Sequence, residues 1–180
     1  MQKLKLPPLI IVEAPDCCGK TTLAKLLHEK LKYHYIHEGK PPYNGLLYYK
    51  DKAVAIKQNF EWYGSRFVLD RFHLGEYVNP IIMNDGRVPL TAQQMADIEN
   101  LLPNPTILIY PRPSEEFVRK AFVTRGEKVA KLDQIPDLLK MYDAAFEMSS
   151  IRHKIRINTE DDPDWQKTVE RVQNFDQWVL

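Results

Sequence analysis

The chain has 180 residues, the size of one ordinary domain, with 44% hydrophobic and 27% charged residues. That mixture excludes a disordered tail, a collagen-like repeat and an extended coiled coil, and a chain of this length buries a core without staples. Its 25 Lys and Arg against 24 Asp and Glu leave a net charge of +1. No general positive field exists to hold DNA or an anionic membrane, so any phosphate chemistry must rest on a few placed cations.

Leu9-Ile10-Ile11-Val12 is a short β-branched apolar run between Pro8 and Pro15, the pattern of a fully buried strand. Leu23, Leu26, Leu27 and Leu31 then share one helical face, with Lys25, Glu29, Lys30 and Lys32 off it. Tyr33–His37 reads as a second strand, closed by Gly39-Lys40-Pro41-Pro42. Residues 47–63 favour helix, and Phe67-Val68-Leu69 is a buried strand ending on Asp70-Arg71. Asn84-Asp85-Gly86-Arg87 signals a turn. Thr91 with Gln94 is a capping box that opens a helix to about Leu101. Thr106–Tyr110, between Pro105 and Pro111, is a fourth strand. Ser114 caps the next helix, with Glu115 and Glu116 at its positive end. Ile135, Leu138, Leu139, Tyr142 and Phe146 form the apolar face of another helix. His153–Ile157 is a fifth strand, and Asp162-Pro163 opens a last helix ending near Trp178. Strands alternating with helices predict an α/β fold. Its five-stranded parallel sheet carries helices on both faces, in one domain over 1–180 without repeat or linker.

Cys17 and Cys18 are neighbours. Adjacent Cα atoms stand about 3.8 Å apart, below the usual disulfide range of about 4.4–6.8 Å. They are expected as two free thiols, which suits a reducing cytosol, and two cysteines cannot make a zinc ribbon. Residues 1–8 carry no long apolar run ahead of a cleavage site. The longest such run, Leu9–Val12, is far short of the roughly 20 residues that span a bilayer. The expectation is a cytoplasmic protein, of a cell or of a phage-infected host, without a membrane partner.

The strongest chemical signal joins the first strand to the first helix: Ala14-Pro15-Asp16-Cys17-Cys18-Gly19-Lys20-Thr21-Thr22. In a P-loop, successive backbone N–H groups and a helix N-terminus surround phosphates. The Lys reaches the β- and γ-phosphates and the hydroxyl binds Mg²⁺. The whole stretch is therefore the candidate site for ATP phosphates, with Mg²⁺ as its metal. The loop departs from the usual motif at Ala14, in place of the leading glycine, and at Cys17, where many kinases have glycine. A Cβ disfavours positive φ, so the loop must run with negative φ at Ala14 or absorb strain. The two cysteines read as small residues that fit the loop, or else as redox sensors at a helix N-terminus.

Asp70, at the carboxyl end of an apolar strand, stands where a Walker-B-like acid would hold the Mg²⁺ water shell together with Thr21. Arg71 can clamp a substrate phosphate with two parallel hydrogen bonds.

Val12-Glu13-Ala14-Pro15-Asp16 running into Gly19-Lys20-Thr21-Thr22, followed by Asp70-Arg71-Phe72, resembles the thymidylate kinase family of P-loop nucleoside-monophosphate kinases. The run Asp70-Arg71-Phe72-His73-Leu74-Gly75-Glu76 is similar to its small phage-type members. The resemblance implies a three-layer α/β/α P-loop NTPase fold with a small lid at about 119–134. It also implies Mg²⁺-dependent transfer from ATP to a deoxynucleoside monophosphate, dTMP or a related pyrimidine nucleotide, and it admits a homodimer. Asp16 matches the position associated with the deoxyribose 3′-OH, and Asp70 and Arg71 match the pair that serves the metal and the acceptor phosphate. After the second strand the family has Arg-Glu-Pro. Here Glu38-Gly39-Lys40-Pro41 stands instead, so a phosphate-contacting Arg is missing and Lys40 is the candidate in its place.

Arg119, Lys120, Arg125, Lys128 and Lys131 make a basic run, a solvated helix face or a lid. Arg125-Gly126 resembles the family's lid start, and Arg119 and Arg125 are the candidates to meet charge on the transferring phosphoryl. The expected catalytic set is Lys20, Asp16, Arg71 and Arg125. The aromatic stretch 59–63 offers Phe60, Trp62 or Tyr63 as a stacking face for the base, with core packing as the competing use. Tyr77 and Asn79 are further pocket candidates, and His73 is either a pocket donor or a packing residue. With Glu13, Asp16, Lys40 and Arg71 these make up the acceptor set. A second reading makes the acceptor a hydroxyl, on a deoxynucleoside or on 5-hydroxymethyl-deoxyuridine in DNA, with Glu13 or Asp16 as base. The +1 charge argues against a long DNA footprint. A third is a nucleotide switch without catalysis, but a guanine reader of the Asn-Lys-x-Asp type is absent from the sequence.

Overall fold

The computed structural model describes residues 6–126, 131–162 and 165–178. Five strands form one all-parallel sheet in the order β2-β3-β1-β4-β5. They are β1 (Leu9–Val12), β2 (His34–His37), β3 (Phe67–Asp70), β4 (Thr106–Pro111) and β5 (His153–Ile157). All four residues of β1 are fully buried, as its uninterrupted apolar run predicts for a central strand. Ile10 and Val12 pack into one core with α1 (Lys20–Leu31), α7 (Gln166–Gln173) and α8 (Phe175–Trp178). Leu9 and Ile11 face the other core. That core is built by α2 (Gly45–Tyr63), α3 (Leu74–Met83), α4 (Ala92–Glu99), α5 (Glu115–Arg125) and α6 (Ile135–Met148). Each wholly buried Leu or Ile contributes roughly 1.5–3 kcal/mol, so the alternation along β1 stabilises both layers at once.

Val12 is in register with Asp70 of β3 and Ile109 of β4, which sets the carboxyl ends of the three central strands side by side. The connections reverse direction beside β1, and such a switch point opens a crevice at the carboxyl ends of the strands.

Local sequence explains most boundaries. Thr91 Oγ1 accepts from Gln94 N at 3.2 Å while Gln94 Oε1 accepts from Thr91 N at 2.9 Å, the expected capping box of α4. Ser114 Oγ accepts from Phe117 N at 3.1 Å at the head of α5. The carboxyl-terminal segment differs from expectation. Asp162 does accept from Thr168 N at 2.9 Å and Lys167 N at 3.2 Å. The helix nevertheless starts only at Gln166, after Trp165 at φ +58, and stops at Gln173 before the short α8. Pro163 lies outside the described residues.

The sequence does not announce α3, because Gly75 and Pro80 interrupt its pattern. Pro80 has no N–H to offer the carbonyl of Glu76 four residues back. Leu90 N takes that carbonyl instead, at 3.1 Å, and so ties the α3–α4 connection to the first turn of α3. Among the described residues no helix is long and apolar enough to cross a membrane.

Candidate active site

The loop between β1 and α1 turns through positive φ at Cys17 (+66) and Gly19 (+86) and not at Ala14. Ala14 thus takes the negative-φ alternative, and Cys17, at the other position where many kinases have glycine, carries a strain of about 1–2 kcal/mol for a non-glycine residue. Gly19 has a second reason to lack a side chain: a Cβ there would stand 2.6 Å from Trp165 Cζ2. Lys20, the first residue of α1, is only 5% exposed. Its ammonium donates to Pro15 O at 3.2 Å and to Asp16 Oδ1 at 2.6 Å.

Arg71 comes to the same atom from the end of β3. Its Nη2 donates to Asp16 Oδ1 at 2.6 Å, and its own φ is +74, a second strained residue at the site. Burial pushes the Asp16 carboxyl up, but Lys20 and Arg71 outweigh it and hold the group below its usual range. Glu13 is almost wholly buried, and its Oε1 accepts from Phe72 N at 2.5 Å. Its other oxygen has no hydrogen-bond partner. Burial raises the Glu13 pKa, with His73, the Phe72 N–H, Lys20 and the Gly75 N–H offsetting part of the rise.

Asp70 is fully buried. Its Oδ2 lies 2.9 Å from Tyr35 Oη, which donates, and 2.7 Å from His37 Nδ1, while Oδ1 has no hydrogen-bond partner. A carboxyl held on one side and unsatisfied on the other has the chemistry for the water shell of a hard cation, although Asp70 and Thr21 line neither cavity beside the loop. Mg²⁺ keeps several waters and needs only one or two protein oxygens. Among the described residues no cluster of three or more His, Cys, Asp or Glu forms a dedicated metal cage.

Two cavities flank the phosphate loop. The larger, about 440 Å³, runs from Glu13, Asp16, Lys20 and Arg71 past the aromatic walls Tyr49, Phe72 and Tyr142 to Glu76, Asn79 and Arg87. The smaller, about 270 Å³, is lined by Cys17, Gly19, Thr22, Thr159, Arg125 and Trp165. Thr159 is 6% exposed and its hydroxyl has no hydrogen-bond partner.

Ala14, Asp16, Lys20, Lys40, Arg71 and Glu13 thus gather around the larger cavity, and Cys17, Cys18, Gly19, Thr22 and Arg125 around the smaller. Several expected residues stand elsewhere. Arg119 donates to Glu115 at 2.7 Å and to Leu132 O at 2.8 Å, and lines neither cavity. Lys120 and Lys131 are exposed, and Lys128 lies outside the described residues. Phe60, Tyr63 and Tyr77 do not line the larger cavity. Helix α2 turns Tyr49, Ala53 and Ile56 inward, and only its first half meets the cleft. Tyr63 lies 14 residues beyond Tyr49, about 21 Å along the axis at ~1.5 Å per residue, and is 74% exposed. Tyr77 packs against the core. His73 is wholly buried beside Glu99, at 2.8 Å.

Sequence reasoning missed Tyr49, Glu76, Arg87, Tyr142 and Trp165 as lining groups. Glu76 closed the Asp70–Glu76 motif and Tyr142 lay on an apolar helix face, but neither signal pointed to the cavity, and the 84–87 turn marked the bend rather than the arginine it delivers. Both cysteines are buried and neither is in a disulfide, and burial pushes the Cys18 thiol up to about 12. A redox sensor needs the opposite shift.

No family model matches the chain. It is 28% identical over 138 residues to the SPbeta prophage-derived uncharacterized protein YorR of Bacillus subtilis (strain 168), covering 74% of this chain and 79% of that protein. The crystal structure of YorR in complex with phosphorylated GDP superposes with a TM-score of 0.70 at 22% identity, covering 91% of this chain and 96% of YorR. Deoxyadenosine kinase from M. mycoides, with dCMP and a flexible dCDP bound, gives 0.60 at 16% identity over 96% of this chain and 100% of that one. Polyphosphate kinase 2 from Arthrobacter aurescens TC1 gives 0.64 at 13% identity, with coverage of 94% and 66%. The chain has the P-loop kinase fold. At these identities the likeness reaches that fold and YorR, and does not specify the thymidylate kinase family.

Proposed function

We propose that this protein is a Mg²⁺-dependent kinase that moves the γ-phosphoryl of ATP onto a deoxynucleoside monophosphate, dTMP or a related nucleotide. The observation that carries the reading is the meeting of Lys20 and Arg71 on Asp16 in the wall of the larger cavity, with the next loop residues, Cys17 to Gly19, lining the smaller one. One cation belongs to the phosphate loop and the other to the strand beside it, so two phosphates brought to this point each find a positive partner. The smaller cavity suits the donor base, between Trp165, Thr159 and Arg125. The larger, at about 440 Å³, is of mononucleotide size. Thr21 and Asp70 would hold Mg²⁺, which supplies charge neutralisation on the phosphate oxygens when bound. Catalysis of such a transfer is chiefly positioning and charge, and Lys20, Arg71 and Arg125 supply both. The resemblance of the 9–22 and 66–76 motifs to thymidylate kinases supports the same reading, and the nucleotide-bound kinase that shares the fold supports the broader one, phosphoryl transfer to a nucleotide or nucleoside.

Glu13 favours a second reading. A buried carboxyl with a raised pKa and one unsatisfied oxygen at the cleft could act as base for a hydroxyl acceptor, such as a deoxynucleoside.

The test is incubation with γ-labelled ATP and Mg²⁺ against dTMP, thymidine and hydroxymethyluracil-containing DNA. Label on dTMP supports the first reading. Label on thymidine or DNA alone overturns it, and transfer retained by Lys20→Ala removes the phosphate-loop assignment.

A further inference from the structure

The turn at 84–87 delivers a charged pair to the acceptor cleft that phosphoryl transfer does not call on. Arg87 Nη1 donates to Glu76 Oε1, and Arg87 Nε donates to Asp85 Oδ2 at 2.7 Å. The Arg87 side chain is 21% exposed and that of Glu76 10%, so the pair is mostly withdrawn from bulk water while both residues line the cleft. Pro80 sets this arrangement up. By leaving the Glu76 carbonyl to Leu90 N, it pins the loop against the helix that carries Glu76.

We infer that Glu76 and Arg87 together read the nucleobase of the acceptor, the carboxylate accepting from its edge and the guanidinium donating to it. This rests on the kinase reading of the cleft.

Charge is the first argument. At the phosphate-loop end Glu13 and Asp16 face Lys20 and Arg71; at the other end Glu76 and Asp85 face Lys40 and Arg87. Side-chain charges balance at both ends, but only the first adds the loop N–H groups and the N-terminus of α1, which favour a phosphate there. A neutral base wants what the other end has, fixed donors beside fixed acceptors. Shape is the second argument. Tyr49 and Phe72, each almost wholly buried, meet edge to face at 5.0 Å and close the cleft wall with packed aromatic carbon, the apolar side a flat ring needs. Its edge then points at the polar groups. Selectivity follows because a base that leaves a withdrawn guanidinium or carboxylate unpaired is rejected more strongly than shape alone would allow.

The test compares wild type, R87A, R87K and E76Q with dTMP, dCMP, dGMP and dAMP, by steady-state transfer and by calorimetric binding without ATP. Melting temperatures check that each variant folds. R87A is expected to raise KM for the preferred acceptor about tenfold or more, leave KM for ATP unchanged, and draw the four kcat/KM values together. R87K is not expected to restore the ranking, because an ammonium lacks the fork, and E76Q is expected to change it. A uniform fall for all four acceptors, or no change, overturns the inference, since a merely structural pair would weaken every base alike. The calorimetry separates the two claims. Base-dependent binding that R87A flattens, with no transfer by wild type, sinks the kinase reading and keeps this one. Transfer with base-indifferent binding does the reverse, and no binding of any of the four overturns both.

Discussion

The indole of Trp165 lies directly over Gly19, near enough that a Cβ on Gly19 would sit 2.6 Å from Cζ2. Gly19 is also at φ +86, so backbone and neighbour both exclude a side chain. Gly19→Ala is expected to cost about 1–2 kcal/mol from the backbone alone, with a further steric loss. In a Trp165→Ala background, itself destabilised by loss of a core side chain, Gly19→Ala should cost the backbone part alone. Thermal melting with and without ATP is the measurement: wild type should gain stability with ATP, and the single variant should melt lower and gain none. An ATP shift of wild-type size in Gly19→Ala would mean that the loop does not bind phosphate in this form.

Asp16 engages both Lys20 and Arg71, and a bound phosphate must compete with it for them. Asp16→Asn removes that competitor's charge and weakens the anchor that aims Arg71, because a neutral amide oxygen holds a guanidinium less strongly than a carboxylate. Affinity for ATP should therefore stay the same or tighten, while kcat falls on the order of 10–100-fold through lost positioning. Calorimetry and steady-state kinetics report the two quantities separately. A loss of ATP affinity with kcat intact would reverse the assignment.

The phosphate loop and the sheet were legible because their signals are local. β1, β3 and β4 are short apolar runs closed by proline or by an acid at the strand end, and Gly19-Lys20-Thr21 follows β1 directly. The cleft walls were not legible, because they come from helices whose facing is set by tertiary packing. Aromatic density pointed to Phe60 and Tyr63, yet it cannot say which end of a 19-residue helix meets the cleft; Tyr49, in the first half, does. Helix α3 was hidden by Pro80, whose missing hydrogen bond is made good by Leu90, outside the helix. Trp165 reaches Gly19 across almost the whole length of the chain, and no periodicity carries that information.

Glu99 gives the fold an acid-sensitive joint. Burial works against its charge, but His73, Ser150 and Ser149 bond to it and bring its pKa down to about 2. A carboxyl whose folded pKa is depressed stabilises the protein fully above its ordinary value. That stability is lost as pH falls from about 4.5 towards 2. The contribution is on the order of 3 kcal/mol by linkage. Glu99→Gln should lower stability at pH 7 and flatten its decline over that window. Urea unfolding at a series of pH values measures both, and an unchanged slope between pH 4.5 and 2 would mean that Glu99 does not govern it.

Glu13 separates the two acceptor chemistries. Its Oε1 accepts from the Phe72 N–H beside Arg71, and its other oxygen is buried without a partner. A phosphate acceptor arrives already ionised and needs no base. For dTMP, Glu13→Gln should therefore cost less than tenfold in kcat, since the amide oxygen can still receive Phe72 N–H. A hydroxyl acceptor must lose a proton, and removing its base costs typically 10²–10⁴-fold. The pH profile adds a readout that packing alone would not move. With a hydroxyl acceptor the wild-type rate should fall as pH drops through the raised Glu13 pKa, and the variant should lose that limb. With dTMP the two profiles should coincide, and a Glu13-dependent limb there would overturn the monophosphate reading.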